Sequence, residues 1–181
     1  MSELNTKNTG LVHIYCGDGK GKTTTGMGLC ARAAGYGLHV LIYQFMKDNS
    51  TSERKVLNLS DNITIVDGLP QEKFSFQMSP EEKAEHKSYY ENQFRDITRK
   101  ASAEDFDLLF LDEIIYTIRA GLFDEALLLD FLQKKPAHLE VILTGQEPSQ
   151  ELIEMADYVS EIRKIRHPFD QGIHARKGIE S

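Results

Sequence analysis

No apolar run in this chain approaches the ~18–20 residues that a helix needs to cross a bilayer, and the opening MSELNTKNTG lacks the apolar core of a secretory signal. The expectation is a cytoplasmic protein with no membrane partner. Cysteine is scarce. Cys16 and Cys30 are the two present, they lack the paired spacing of a zinc site, and reduced thiols without a disulfide framework are expected. Basic residues are in the minority, 21 Lys and Arg against 28 Asp and Glu, and the formal net charge of −7 argues against a broad phosphate-backbone footprint. Nucleic acid is not an expected partner. There is no internal repeat or low-complexity segment, and 181 residues fall within the ~100–200 of a single domain.

What the chain does contain is GDGKGKTTT at residues 17–25, placed between an apolar run (Leu11, Val12, Ile14, Tyr15) and a stretch, 24–34, that fits a helix. In such a strand–loop–helix turn, glycines let backbone N–H groups point inward, and the helix offers its positive end to an anion. Lys22 neutralises phosphate charge and Thr23 is placed to hold Mg²⁺. Against the general P-loop pattern GxxxxGK[ST], Gly21, Lys22 and Thr23 fit, but Cys16 occupies the first glycine position and Gly17 follows one place later. The alternative reading of the run is a flexible surface loop carrying lysines.

Strand-like runs at 11–15, 40–45, 63–66, 108–111, 141–144 and 158–162 alternate with helical segments, the pattern of a parallel sheet covered by helices. The first helix should stop near Gly35 or Gly37. Ser79, Pro80 and Glu82 form a helix start with an N-cap, a first-turn proline and a capping box, opening a long polar helix to about residue 100. Ser149 starts another, with Leu152, Ile153 and Met155 on one face. Residues 46–62, 67–78 and the tail from 167 are the least regular and are candidate substrate loops. LLFLDE at 108–113 then places Asp112 and Glu113 at the end of an apolar strand. A hard cation such as Mg²⁺ prefers oxygen, and P-loop enzymes supply one carboxylate beside the P-loop hydroxyl. Either acid fits that role; the plain alternative is that both begin a solvated helix.

Several blocks in order carry a closer resemblance: GDGKGKTT at 17–24, ARAAGYG at 31–37, QFMK at 44–47, LDEI at 111–114, LTG at 143–145 and RHPFDQGIHARKGIE at 166–180. Together they resemble the P-loop-type ATP:corrinoid adenosyltransferases, which transfer the 5′-deoxyadenosyl group of ATP to reduced cobalt. The likeness runs from Gly10 to the end, and the last block is the most specific to the family. It implies a single-domain, RecA-like P-loop fold over residues 10–181, preceded by a flexible arm, residues 1–9. It also implies that Gly17, Asp18, Gly19, Lys20, Gly21, Lys22, Thr23 and Thr24 wrap the triphosphate of a nucleotide lying reversed relative to ordinary P-loop enzymes.

In that family the ribose C5′ is attacked by Co(I) and triphosphate leaves. The implied roles are charge stabilisation by Lys20, Lys22 and a Mg²⁺ or Mn²⁺ ion on Thr23 and Glu113, with Asp112 as the neighbouring carboxylate. No general base is required. An electron donor such as a flavoprotein, and a homodimer, are implied as well. Phe74-Ser75-Phe76 matches the family's aromatic–Thr–aromatic segment, which helps keep the corrinoid's lower ligand off cobalt. Phe76 stands where the best-known members carry Trp, and the alternative is that Phe74 and Phe76 enter the core from one side of a strand. Gln146 replaces an Arg common after LTG, a charge that Lys47, Arg54 or Arg166 would have to restore. His13, His86 and His138 read as structural or solvated, while His167 and His174 are better placed for nucleotide or corrinoid. The rival readings are an ordinary P-loop NTPase or small-molecule kinase, which releases ADP, and a non-catalytic corrinoid carrier.

Overall fold

Six strands form one parallel sheet in the order β3-β2-β4-β5-β1-β6. They are β1 (Val12–Cys16), β2 (Val40–Gln44), β3 (Ile63–Val66), β4 (Leu108–Asp112), β5 (Glu140–Thr144) and β6 (Tyr158–Glu161). This is a computed structural model, and it describes residues 10–70 and 75–179. All six strands stand where the apolar runs predict them, within a residue at either end. The expected arm, residues 1–9, lies outside the described residues.

Both faces of the sheet are covered, because the central strands are apolar on both sides. β2, β4 and all but the first residue of β5 are buried, as in a parallel sheet packed between helices. On one face Val40, Ile42, Leu108, Phe110 and Ile142 meet helix α1 (Lys22–Tyr36) through Met27, Cys30, Ala33 and Ala34. Gly26 lets α1 lie this close, since a Cβ there would stand 2.3 Å from Phe110 Cζ. The short helix α2 (Arg54–Leu57) adds Leu57 to the same layer. α1 stops at Gly37, in the left-handed conformation (φ 106°), as the sequence suggests.

On the opposite face Leu41, Tyr43, Leu109, Leu111, Val141 and Leu143 face a larger layer. It is built from α3 (Pro80–Ala103), α4 (Ile114–Arg119), α5 (Glu125–Lys134) and α6 (Gln150–Met155). α3 has the foreseen capping box between Ser79 and Glu82. It buries Tyr90, Phe94, Ile97 and Ala101 at helical spacing. Phe45, just past β2, is fully buried among Tyr90 and Phe123, with ring centroids 5.6 and 5.9 Å away. Both cysteines are buried and free. Among the described residues, no helix is long and apolar enough to cross a membrane.

The topology places the chemistry. β5 lies between the strand that feeds the P-loop and the strand that ends in Asp112. The chain leaves β1 through α1, crosses over two strands to reach β2, and returns to β4. The C-terminal ends of β1, β2, β4 and β5 therefore open on one crevice, where ligands bind in sheets of this kind.

Candidate active site

The turn from β1 into α1 is a cradle for an anion. Gly21 caps α1 with φ 119° and no side-chain hydrogen bond, so the first-turn N–H groups of this 15-residue helix have no side-chain cap. The displaced glycine also has a structural reason. Cys16 completes β1, and Gly17 (φ 108°) passes so close to the chain after β6 that a Cβ would lie 2.4 Å from the Ile162 carbonyl oxygen. Gly19 N–H donates to that same oxygen at 2.8 Å. Asp18 accepts the Lys164 N–H at 2.8 Å, a bond that holds its carboxyl below the usual carboxylate range. Asp18 thus ties the loop to the segment after β6.

Lys22 folds back on its own loop, donating to the Gly19 carbonyl at 2.8 Å. Together with Lys20, His167, Phe169 and His174 it lines a cavity of about 320 Å³. The two histidines of the C-terminal block thus stand beside the P-loop lysines. Thr23 and Thr24 border a larger cavity of about 850 Å³, shared with Met27, Lys47, Ser50 and Lys177.

Asp112 is the hub of the crevice, and it is fully buried. Its Oδ1 accepts the Thr23 hydroxyl at 3.0 Å and the Thr144 hydroxyl at 2.6 Å. Its Oδ2 accepts from Gln44 Nε2 at 3.0 Å and Lys47 Nζ at 2.7 Å. Four partners from β2, α1, β5 and the turn after β2 satisfy both oxygens, as a buried carboxylate requires. The hydroxyl of Thr23 also accepts from Lys47 at 2.8 Å. Of the two acids, Asp112 is the one bonded to the P-loop threonine. The sequence leaves Gln44 and Thr144 without individual roles, although each is the polar end of an otherwise apolar strand (VLIYQ, EVILT); that pattern is the signal that marks them.

Glu113 takes the next position, half-buried at the start of α4 with φ 61°. Burial pushes its carboxyl above the usual range, the Asp112 charge adds to this, and Lys47 and Lys22 offset part of it. The folded chain therefore holds this proton more tightly than the unfolded chain. Stability at this position falls as pH rises from the ordinary carboxylate range through the raised value. Glu113→Gln should raise the urea midpoint at neutral pH and converge with wild type in acid below the ordinary carboxylate range. An unchanged neutral-pH midpoint would refute the burial penalty.

Among the described residues three non-glycine residues have positive φ: Met46 (51°), Glu113 (61°) and Glu147 (53°). Each follows the C-terminal end of a central strand, so all three lie around this crevice, the kind of place where backbone strain collects. Among the described residues no three His, Cys, Asp or Glu side chains form a metal-binding group. A metal here would rest on Thr23 with Asp112 or Glu113 and on phosphate oxygens, a donor set suited to Mg²⁺. A cation already stands at that place in the form of the Lys47 ammonium, so charge and oxygen donors both fit.

Other expected residues lie apart. Phe74 is outside the described residues. Phe76 lies in a 3₁₀ turn, Ser75–Gln77, and is 77% exposed, so it is neither on a strand nor in the core. Gln146 meets Arg119, whose Nη1 donates to its Oε1 at 3.2 Å and whose Nε pairs with Glu147 at 3.0 Å. Arg54 is instead paired with Asp67. His13 pairs with Glu140 and His39 lies 3.9 Å from Asp105, both at the opposite, N-terminal end of the strands.

Sheet order, P-loop and acidic strand end together define a P-loop nucleotide-binding domain of RecA-like layout. The KaiC-like protein of Pyrococcus horikoshii shares this fold, with a TM-score of 0.55 at 21% identity over 87% of this chain and 73% of its own. The family model described as ATP:corrinoid adenosyltransferase BtuR/CobO/CobP matches residues 8–181. A corrinoid adenosyltransferase of Sinorhizobium is 30% identical over 97% of this chain and 82% of its own length. Corrinoid adenosyltransferase CobA of Salmonella typhimurium is 28% identical over 94% and 85%. The chain belongs to the ATP:corrinoid adenosyltransferases, a transferase family whose substrates are ATP and a corrinoid.

Proposed function

We propose that the crevice at the C-terminal ends of β1, β2, β4 and β5 carries adenosyl transfer with the P-loop holding the leaving group. The observation that carries this reading is the joining of Thr23, Lys47 and Asp112 beside a helix N-terminus that no side chain caps. Co(I) of the corrinoid substrate donates its electron pair to C5′ of ATP. That pair forms the cobalt–carbon bond, the C5′–O bond breaks, and triphosphate leaves with the C5′–O bonding pair. Lys22 and Lys20 stabilise the charge growing on triphosphate, aided by the first-turn N–H groups of α1. Thr23 with Asp112 or Glu113 would hold a Mg²⁺ or Mn²⁺ ion, which would supply further charge neutralisation.

No proton transfer is needed in this step. That accords with the position of the His13–Glu140 and His39–Asp105 pairs at the far end of the sheet. Phe74 and Phe76 are assigned to the corrinoid, and the Phe76 side chain is 77% exposed. A reduced flavoprotein is the proposed source of the electron for Co(II), and the cytoplasm the proposed location. Self-association as a homodimer accords with the edge strand β6, whose four residues are all exposed.

The test is an anaerobic reaction with ATP, Mg²⁺ and chemically reduced cob(I)alamin. Light-sensitive adenosylcobalamin and an equal amount of triphosphate are expected. ADP without a cobalt–carbon bond would replace this reading with an NTPase, and corrinoid binding without either product would replace it with a carrier.

A further inference from the structure

Lys47 stands where a divalent cation would stand. Its ammonium is 2.8 Å from Thr23 Oγ1 and 2.7 Å from Asp112 Oδ2, and the same two side chains are bonded to each other at 3.0 Å. The lysine is held there by the two residues that precede it. Before it, Phe45 is fully buried in an aromatic cluster, and its N–H donates to the Asp112 carbonyl at 2.9 Å. Between them Met46 takes the left-handed conformation, φ 51°, which an unbranched residue adopts only at a cost. That turn brings the chain beyond β2 back toward the crevice. The ammonium itself is not sealed in: the Lys47 side chain is 23% exposed, whereas that of Asp112 is fully buried. It also lines the 850 Å³ cavity with Thr23 and Thr24, so an open path leads away from Asp112.

We infer that Lys47 is a resident counter-cation that guards the metal site of the empty enzyme and moves onto the phosphate chain when the metal enters. The inference rests on the reading of Thr23 and Asp112 as metal ligands. Two cations cannot share Asp112 Oδ2 at contact distance without strong repulsion, so a divalent ion must displace the ammonium. A metal arriving with its nucleotide brings several phosphate oxygens, which accept the displaced lysine. A metal arriving alone brings none and must leave the lysine without an anionic partner. Lys47 thereby links metal entry to nucleotide entry. It acts as a positioning residue for the site in the empty enzyme and as a phosphate ligand in the loaded one.

The experiment compares wild type with Lys47→Met and Lys47→Gln, the second retaining a hydrogen-bond donor for Asp112 should the first fail to fold. Mn²⁺ binding is read by electron paramagnetic resonance, first with Mn²⁺ alone and then with tripolyphosphate. The variants should bind Mn²⁺ alone about tenfold more tightly than wild type, and the tripolyphosphate-dependent gain in Mn²⁺ affinity should shrink by about tenfold. Unchanged Mn²⁺ affinity in both variants, with binding lost in Thr23→Val, overturns the role of Lys47 and leaves the metal site standing. No Mn²⁺ binding by wild type or variants, with or without tripolyphosphate, overturns the metal reading and this inference with it.

Discussion

Lys22→Ala is expected to lower the rate of adenosyl transfer on the order of 10²–10³-fold while leaving the melting temperature within a degree or two (~1–2 °C). The rate loss follows from what the residue does. In the proposed step negative charge moves from the cobalt centre onto triphosphate, and removing one fixed donor aimed at the charge arriving there costs about this much. The small effect on stability follows from what Lys22 touches. Its recorded bond is to the Gly19 carbonyl of its own loop, and the side chain is half-exposed at the first turn of α1. Alanine is also a good helix former at that position. Transfer measured under saturating ATP, beside thermal unfolding, separates the two. A variant that transfers at the wild-type rate would remove Lys22 from the mechanism.

Asp112→Ala should fail on both counts. The substitution leaves the Thr23 and Thr144 hydroxyls and the Gln44 amide without their shared acceptor, and the Lys47 ammonium without its counter-charge. Breaking a buried ion pair costs about 3–5 kcal/mol, and the exposed path open to Lys47 puts the expected loss near the lower figure, about 3 kcal/mol. For a chain of this size that is a fall of roughly 10 °C in melting temperature. Asp112→Asn keeps the shape and one acceptor oxygen, and should melt closer to wild type while still losing transfer. If Asp112→Asn retained full transfer, the carboxylate would be needed only for folding.

The strand sequence, the P-loop and the helix signals at Ser79 and Ser149 were legible because each depends on neighbours in sequence. Periodicity, capping and glycine placement are local, and the structure repeats them almost residue for residue. The strand pattern leaves Asp112 and Glu113 equally open and the family resemblance pairs Thr23 with Glu113, whereas the folded chain bonds Thr23 to Asp112, 89 positions on; adjacent residues leave a strand end in different directions, and no local rule says which meets the P-loop. Gln146 was read through the charge it lacks. Its guanidinium neighbour, Arg119, comes from α4, a short helix after β4 that carries no strong start signal; the residue before it, Glu113, lies in a left-handed turn. Phe76 was open to a strand reading from its spacing with Phe74, and the backbone places it in an exposed 3₁₀ turn instead.

The sequence by itself determined that this is a parallel α/β nucleotide-binding domain of the corrinoid adenosyltransferases, because motif order, hydrophobic period and turn chemistry are written along the chain. Only the tertiary structure decided that Asp112 is the buried hub, that Gln44, Thr144 and Lys47 are its partners, and that Asp18 fastens the loop to the chain after β6. Those contacts join residues 32 to 146 positions apart. They exist only once the crossover from β1 to β2 and the return to β4 bring strand ends together, which is a property of sheet order and not of any stretch of sequence.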